Sequence, residues 1–390
     1  MPRPLTFSDA LSTAKDLADE WRTTAARRDR EGGTAKYERD QIRASGLLTF
    51  FIAQEFGGSG GSFTELMAIF REMARADSSL AHLFAFHHYQ LVTVQLFGTP
   101  EQYRRLHHAT VAEGWFWGNG INTLNNDVTA TRTTEGYEWN GIKTFATGSK
   151  DSDYLTISGR GGDGRMLVAA IPTTRKGIVI RGDWNNIGQR QTDSGAVEFN
   201  HVAVANSEIL PHVSQTPRAS LRNLVGQTVF GNLFWAVAQG ALDEAVAYLR
   251  GKETIAWSAS LAPTQQKDPF ILRTIGELHT QLEAVRLLSD RANTALEQTL
   301  AKGEAVTWDD RAKVAVAAFT ARAAATQTGL QVSSRIFEFL GARATTSALA
   351  FDRFWRNIRT QTLHDPIDYK TLAIGDYVLN GELPPPGFFG

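Results

Sequence analysis

The feature that most constrains the fold is a change of hydrophobic periodicity that occurs twice along the 390 residues. Residues 1 to about 112 repeat apolar side chains every three or four positions, for example Phe7 and Leu11, which is the spacing of an amphipathic helix. Residues 115 to about 206 instead carry short alternating runs rich in Thr, Val and Gly, which are typical of strands. From Leu221 the helical spacing returns in long stretches.

This order predicts an α+β fold that is mostly helical. We expect an N-terminal helical domain over residues 1–113, a β-domain over 114–212, and a C-terminal helical bundle with a tail over 213–390, because a chain of this length exceeds one compact hydrophobic unit. Within the β-domain, Asn140 and Gly141 lie between two strand-like runs. They predict a hairpin turn, since both residues tolerate positive φ.

Composition excludes several classes of function. The formal net charge is −1, so neither nucleic acid nor a membrane surface is indicated as a partner. The chain has no cysteine, which rules out disulfides, thiolate chemistry and cysteine metal sites. No apolar run approaches the ~20 residues of a membrane span, and the sequence does not open with an apolar leader. We therefore expect a cytoplasmic enzyme.

Two sequence patterns could indicate ligand binding, but the residues around them do not support that interpretation. Gly159, Gly161 and Gly164 have the spacing of a dinucleotide fingerprint, but a strand follows them where the fingerprint needs a helix, so they predict a hairpin loop. The adjacent pairs at 87–88 and 107–108 are histidines, and neighbours on a helix point ~100° apart, so neither pair can close on one metal ion. We expect no nicotinamide site and no metal site.

Several blocks of sequence form a recognisable pattern, namely residues 141–148, 188–195 with 197–199, 337–343, 351–357, 363–366, 379–381 and 386–388. These blocks resemble the acyl-CoA dehydrogenase superfamily. The C-terminal blocks resemble its dibenzothiophene monooxygenase branch in particular, and the likeness spans essentially the whole chain. The C-terminal motif is the longest and the most specific.

The resemblance implies an acyl-CoA dehydrogenase-like fold, with a middle antiparallel β-domain and a C-terminal four-helix bundle. It also implies a two-component flavin monooxygenase, which receives FMNH2 by diffusion from a separate NAD(P)H-dependent flavin reductase. Such an enzyme uses O2 through a C4a-hydroperoxyflavin to oxygenate a small apolar substrate, and we expect a sulfur-containing aromatic one. Because the fold forms tetramers with flavin sites at subunit borders, a homotetramer is also expected.

The same resemblance assigns the reacting residues. Asn119 and Thr147 match residues that meet the flavin and its peroxide, and Asn125 matches a second active-site asparagine that binds the cofactor. His364 matches the proton donor, a role that suits imidazole because it titrates close to neutral pH. The alternatives are a strand threonine that faces solvent at 147, and a histidine at 364 that caps a helix or bonds Asp365.

Further matches line the cofactor and the substrate. Trp184 matches an aromatic wall of the pocket that serves both, and His82 matches a catalytic pocket histidine on a helix. Gly341, Ala342 and Arg343 match the segment that binds the FMN phosphate. The alternatives are core packing for Trp184, a buried structural histidine for His82, and a surface arginine at a helix end for Arg343.

The sequence departs from the branch at two positions. Where the branch carries an active-site tyrosine, this chain has Phe86, which we assign to the substrate pocket. Where the branch uses a second arginine for the FMN phosphate, this chain has Ile255. Lys252, Lys267 and Arg273 are the nearby cations that could replace that arginine.

Three other functions share parts of this pattern. A true acyl-CoA dehydrogenase needs a carboxylate base, and an ungapped alignment places Asp365 there, where the dehydrogenases have a glutamate followed by glycine. An amine N-hydroxylase of the same branch would differ only in the nucleophile that accepts the oxygen. A helical scaffold without activity is the third alternative, and the presence of Thr147, Asn119 and His364 argues against it.

Overall fold

The structure of the protein is a computed structural model, which describes residues 4–122, 127–213, 216–251 and 257–387. Within these ranges the chain forms ten α-helices and one seven-stranded sheet. The helices are α1 Phe7–Glu31, α2 Lys36–Ala44, α3 Phe63–Ala76, α4 Ser78–Phe97, α5 Pro100–Glu113, α6 Pro217–Arg250, α7 Pro269–Leu300, α8 Trp308–Leu340, α9 Asp352–Thr362 and α10 Ile367–Asn380. The strands are β1 Trp117–Gly120, β2 Thr129–Arg132, β3 Gly136–Lys143, β4 Tyr154–Gly161, β5 Met166–Pro172, β6 Ile178–Ile180 and β7 Val197–Ala205. The predicted order of helices, strands and helices is confirmed.

The N-terminal helices surround α4, which is the central helix of this part of the chain. Capping boxes start two of its neighbours, with Ser62 bonding to the third residue of α3 and Thr99 doing the same for α5. Every residue of α4 except Gln95 is buried, because α3, the sheet and α6 cover its different faces. Its polar side chains therefore lie inside the molecule, where they must bond to other residues or face a cavity.

The sheet has the strand order β1-β4-β2-β3-β7-β6. β1 and β2 pair with successive parts of the same edge of β4, and β5 pairs with its opposite edge. Four pairings are antiparallel, whereas β1 and β2 both pair with β4 in parallel. The expected antiparallel β-domain is thus corrected in one detail, since the sheet is mixed. The glycines at 161 and 164 lie in the β4–β5 hairpin, as their context predicts.

The predicted hairpin at Asn140 and Gly141 is wrong, because β3 runs straight through both residues. The register against β7 shifts between Trp139 and Gly141, which marks a β-bulge. Gly141 has φ 126°, and a Cβ at this position would lie 2.0 Å from the Asp127 carbonyl oxygen. The His201 N–H donates to Asn140 Oδ1 at 2.8 Å, which satisfies the amide of the bulged residue. Positive φ at glycine serves a bulge here and not a turn.

The C-terminal part is a bundle in which α6, α7 and α8 pack against one another, while α9 and α10 cover α8. Thr216, Asp268 and Thr307 cap the three long helices, each accepting from the backbone of the first turn. Most of α6 is buried, and its buried residues include Arg222 and Gln227. A buried cation and a buried amide on one helix indicate a polar interior at this point of the bundle. Within the described ranges, no helix is both long enough and apolar enough to cross a membrane.

Candidate active site

A cavity of about 880 Å³ opens between α4, the sheet, α6 and the end of α9. Its volume lies within the usual range for a site that holds a cofactor or a drug-sized ligand. Aromatic rings and polar side chains alternate around its wall. The cavity is lined by His82, Phe86, Tyr89, Asn119, Ile121, Asn122, Asp127, Thr144, Phe145, Thr147, Trp184, Asn185, Asn186, Ile187, Ser194, Arg222, Asn223, Gly226, Gln227, Phe230, Thr360, Gln361, Leu363 and His364.

One wall of the cavity comes from the β-domain and carries hydroxyl and amide groups. The Asn119 N–H donates to the Thr147 carbonyl at 2.8 Å, so β1 and the segment after β3 are tied together at these two residues. The Thr147 and Ser194 hydroxyls share a hydrogen bond of 2.9 Å. The Ile121 N–H donates to Asn119 Oδ1 at 3.2 Å, which fixes that amide. The side chains of this wall are therefore held in place by their neighbours.

The same wall ends in an aromatic rim. Trp184 Nε1 donates to the Gln189 carbonyl at 2.7 Å, which orients the indole. The Phe145 ring meets the Trp184 ring edge-on with centroids 6.0 Å apart. Phe145 has φ 57° and is 59% exposed, so a bulky residue adopts the left-handed region in order to stand at the cavity mouth. Such rings can cover a flat cofactor and keep water away from it.

The opposite wall is a face of α4, on which His82, Phe86 and Tyr89 follow one another at helical spacing. The His82 ring packs edge-on against Phe86 at 4.3 Å between centroids. Neither ring nitrogen of His82 makes a hydrogen bond of normal geometry in the described chain. Burial, followed by the charge of nearby His364, lowers the pKa of His82 to about 3, and the Gln189 amide offsets this only in part. His82 is therefore neutral at neutral pH.

His364 stands where α9 ends, at the border between the cavity and a buried carboxylate. Its side chain is 39% exposed, and its ring lies 4.8 Å from the Phe230 ring. The Nδ1 atom of His364 lies 2.9 Å from Asp365 Oδ1, and an N–H at this position donates to the carboxylate. That bond favours the tautomer or charge state in which Nδ1 carries a proton.

Asp365 is 2% exposed and lies at the centre of a polar network behind this part of the wall. Arg322 Nη2 lies 2.7 Å from Asp365 Oδ1, the Lys370 ammonium donates to Oδ2, and Gln227 Nε2 donates to Oδ2 at 3.4 Å. Burial alone would raise the pKa of the Asp365 carboxyl, but the hydrogen bond from His364 and the charges of Arg322 and Lys370 hold it well below its ordinary value. Asp365 is therefore a permanent carboxylate.

The structure brings six of the predicted site residues to one cavity, and it places others elsewhere. The six are Asn119, Thr147, Trp184, His82, Phe86 and His364. Gly341, Ala342 and Arg343 are exposed beyond the end of α8 and do not line this cavity in the single chain. Of the cations considered for the phosphate, Arg273 is exposed and bonded to Glu277 at 2.8 Å. Asn125, Ile255 and Lys252 lie outside the described residues.

Sequence reasoning missed the part of the site that α6 and α8 contribute. Arg222, Gln227 and Phe230 line the cavity from α6, and Arg322 supports Asp365 from the middle of α8. The one sequence signal for these residues was that polar side chains interrupt an otherwise apolar helical pattern. Such a pattern does not indicate which other residues those side chains contact.

The donor set of the cavity fits a flavin. The β-domain wall offers two linked hydroxyls and a fixed asparagine beside the indole of Trp184, which suits a flat ring that needs hydrogen bonds along its edge. The α4 wall is aromatic and leaves space for a small apolar ligand. Histidine, cysteine and carboxylate groups do not gather into a metal site in the described part of the chain.

Comparisons with known protein families match the chain along most of its length. The acyl-CoA dehydrogenase N-terminal domain matches residues 10–113, the middle domain residues 117–202, and the C-terminal domain residues 229–369. A curated relative, the probable FMNH2-dependent monooxygenase SfnC of Pseudomonas putida, is 46% identical over all of this chain and 98% of its own length.

Two solved structures are similar over nearly the whole chain. Methanesulfinate monooxygenase MsuC from Pseudomonas fluorescens superposes with a TM-score of 0.96 at 44% identity, covering 97% of this chain and 99% of its own. The dibenzothiophene monooxygenase TdsC from Paenibacillus sp. A11-2, solved with FMN bound, superposes with a TM-score of 0.93 at 37% identity, covering 98% of this chain and 100% of its own.

Proposed function

The chain belongs to the FMNH2-dependent monooxygenase branch of the acyl-CoA dehydrogenase family, and from this premise we propose that it oxygenates a small sulfur compound in the cavity between α4 and α6. The enzyme is a flavin monooxygenase that uses FMN, with O2 as the usual co-substrate. The relatives support sulfur as the reacting atom, since MsuC and TdsC are named for methanesulfinate and dibenzothiophene. The observation that carries the proposal is the single cavity that joins Asn119, Thr147 and His364 to an aromatic wall.

In this proposal the β-domain wall holds the cofactor. Asn119, Thr147 and Trp184 bind the flavin ring, and their hydrogen bonds to Ile121, Ser194 and Gln189 keep them oriented before it arrives. When bound, reduced FMN would supply the activation of O2, by the C4a-hydroperoxyflavin route that the family resemblance implies. The aromatic rim at the cavity mouth excludes water from the reacting atoms.

His364 is proposed as the residue that holds a proton at the reacting centre. It lines the cavity while its Nδ1 bonds to Asp365, and this bond fixes the orientation of the ring beside the reacting centre. His82 cannot carry a proton in the same way, because its pKa of about 3 keeps the ring neutral. We propose that His82 packs against the substrate as an uncharged wall.

Tyr89 is proposed to compensate for the tyrosine that Phe86 replaces. It lies one turn after Phe86 on the same face of α4 and brings a hydroxyl to the cavity. Burial raises the pKa of Tyr89, so the phenol stays protonated and can donate a hydrogen bond.

An acyl-CoA dehydrogenase activity is disfavoured by the position of Asp365. The carboxylate at this place would have to remove a substrate proton, yet Asp365 does not line the cavity and is engaged by Arg322 and Lys370. A carboxylate held by two cations is a weak base. An amine N-hydroxylase would use the same residues. The experiment below distinguishes it by comparing an amine with sulfur compounds as substrates.

The test of the proposed function is a pulse of chemically reduced FMN in air with the purified chain. We expect oxygenated product from alkyl and aryl sulfur compounds, and little from a matched amine or from a thioester. We also expect no steady NADH oxidation by the chain alone, because its G-x-G-x-x-G glycines lie in the β4–β5 hairpin and reducing power comes from a separate flavin reductase. Hydrogen peroxide as the sole product with every sulfur compound, or NADH oxidation without reductase, would count against the proposal.

We further propose that the chain is a homotetramer in which Arg343 meets the FMN phosphate of a neighbouring copy. Arg343 is exposed and lies away from the cavity of its own chain, and α10 carries exposed apolar side chains at Tyr369, Leu372 and Leu379. Apolar side chains aligned on one helix face are typical of an interface.

Light scattering with FMN present is expected to give a mass four times the 42.9 kDa of the chain. Leu372→Glu should lower that mass, because a charge placed in an apolar interface must be desolvated. Thr371→Glu, an exposed position beside the same stripe, is the matched control and should keep the assembly. A monomeric parent protein at micromolar concentration would refute the tetramer.

A further inference from the structure

The hydroxyl pair of the β-domain wall lies on two segments that belong to no strand. Thr147 is part of segment 144–151, which follows β3, and Ser194 is part of segment 188–195, which precedes β7. The Gly148 N–H donates to a carbonyl of segment 188–195 at 2.9 Å, and the two hydroxyls share a bond of 2.9 Å. The position of one hydroxyl relative to the other therefore depends on how the two segments are held together.

Both segments contain backbone strain. Six residues other than glycine have positive φ in the described ranges, and four of them belong to these two segments. The four are Phe145 at 57°, Asp151 at 63°, Gln189 at 53° and Asp193 at 45°. A Cβ makes this region of φ costly, so such residues persist only where the surrounding structure holds them. Contacts from outside the segments are therefore needed to keep this conformation.

Arg39 of α2 contacts both segments and is fully buried. Its Nη1 donates to the Lys150 carbonyl at 2.6 Å and to Asp193 Oδ2 at 3.1 Å. Its Nη2 donates to the Gly148 carbonyl at 3.3 Å and to the Asp151 carbonyl at 2.9 Å. One guanidinium thus binds three carbonyls of one segment and a carboxylate of the other.

The geometry of arginine suits this position. A guanidinium is a planar fork with N–H donors in fixed directions, so one side chain can bind carbonyls and a carboxylate at once. A lysine ammonium is a compact charge without that fork. Burial raises the pKa of the Asp193 carboxyl, and the charge of Arg39 opposes this shift. Replacing Arg39 by lysine therefore disturbs the geometry of the contacts while it retains the charge.

We propose that Arg39 is a positioning residue for flavin binding, because its contacts with both segments, which we call the clamp, hold the Thr147 and Ser194 hydroxyls in place. Within the described ranges Arg39 does not line the cavity, so it acts on the flavin through these segments. Binding groups must be held within about 0.5 Å of the productive geometry, and strained segments without the clamp would not be. The inference rests on the proposed function, which assigns Thr147 to the flavin ring.

The test is the affinity of the flavin-free protein for oxidised FMN, measured by fluorescence titration. Arg39→Lys is expected to raise the Kd for FMN on the order of 10-fold, which is the usual effect of losing one or two hydrogen bonds. The melting temperature shows whether the variant is folded. A folded Arg39→Lys protein that binds FMN as tightly as the parent would overturn the proposal.

Arg43→Lys is the matched control. Arg43 lies one turn later on α2, packs over the same Phe116 ring as Arg39, and binds Asp151 Oδ2 at 2.8 Å. In the described part of the chain it makes no hydrogen bond or ion pair with segment 188–195. Arg43→Lys should leave the FMN affinity close to that of the parent. A loss equal to that of Arg39→Lys would contradict a clamp between the two segments.

Asp193→Asn tests the clamp from the other segment. It removes the charge that Arg39 binds and keeps an oxygen for the Thr34 hydroxyl, which donates to Asp193 Oδ1 at 2.9 Å. The variant should also weaken FMN binding, and it should add little to Arg39→Lys in the double variant, because both changes open the same contact. If Arg39→Lys does not fold, unchanged FMN affinity in folded Asp193→Asn protein would refute the clamp.

Thr147→Val shows whether the effect reaches the flavin through the hydroxyl. This variant lacks the hydroxyl and is expected to bind FMN more weakly than the parent. In the Thr147→Val background, Arg39→Lys should have a much smaller effect, since the group that it positions is absent. An equal fold-change in both backgrounds would mean that Arg39 supports the fold in general and is not a positioning residue.

These measurements separate the clamp from the proposed function. If Thr147→Val leaves the FMN affinity unchanged, the assignment of the β-domain wall to the flavin fails, and the clamp fails with it. If the clamp variants weaken FMN binding while no sulfur compound yields product from an FMNH2 pulse, the positioning role holds and the proposed reaction is wrong. If the parent oxygenates a sulfur compound and the clamp variants bind FMN normally, the reaction holds and the clamp is wrong.

Discussion

Replacing His364 by alanine is expected to lower oxygenation by ~10²–10⁴-fold, which is the usual loss when a general acid or base is removed. The side chain is 39% exposed and contributes little to the core, so the fold and much of the FMN affinity should persist. Reduced FMN should still react with O2 in the variant. Without a proton held at the cavity, that reaction should end in hydrogen peroxide. The ratio of hydrogen peroxide to oxygenated product should therefore rise.

The measurement is the yield of product and of peroxide from a fixed pulse of FMNH2 in the parent and the variant. His279→Ala is the control, because His279 is an exposed histidine of α7 that does not line the cavity. An unchanged product yield in folded His364→Ala protein would mean that the proton comes from elsewhere. Tyr89, whose hydroxyl reaches the cavity from α4, would then be the residue to replace.

Replacing Asp365 by alanine is expected to destabilise the protein by about 3–5 kcal/mol, the cost of leaving buried partner charges without their counter-ion. Arg322 and Lys370 are 1% and 5% exposed at their side chains, so water cannot take over the role of the carboxylate. The measurement is the denaturant midpoint and melting temperature of the flavin-free protein at fixed concentration. Asp368→Ala, an exposed aspartate in the first turn of α10, should change stability by less than about 1 kcal/mol.

The same carboxylate predicts a pH dependence. Because the folded state holds the pKa of Asp365 below its ordinary value, its contribution is complete above the unfolded pKa of about 3.9 and is lost as the pH falls below it. The parent should therefore lose more stability than Asp365→Asn on going from about pH 4.5 to 3. Parallel losses in the two proteins would show that Asp365 does not contribute this stability.

Much of the fold was predictable because its determinants are local. The helical spacing that begins at Phe7 became α1, and the spacing that returns from Leu221 became the long helices that begin with α6, since burying an apolar stripe requires the 3.6-residue period. The hairpin predicted at Asn140 and Gly141 failed because positive φ at glycine is compatible with a turn or with a bulge. In the structure, the Asp127 backbone lies so close to Gly141 that only glycine fits, and this contact accompanies a bulge and not a turn.

The candidate site was predictable as a set of residues and not as an arrangement. The resemblance selected His82, Asn119, Thr147, Trp184 and His364, and the structure places all of them around one cavity. It also selected Arg343, which the single chain does not bring to that cavity. Whether a partner copy does so is a property of the assembly, which a monomer's contacts do not determine.

The sequence by itself determined the order of helices and strands, the family, the flavin chemistry and the histidine that we expect to manage the proton. Only the tertiary structure determined which charged residues surround the site of that histidine. Arg322 lies 43 positions before Asp365, and Arg222 belongs to a different helix, so no local pattern links them to the site. Their electrostatic effect depends on distance and burial in three dimensions, and both are fixed only when α6, α8 and α9 pack together.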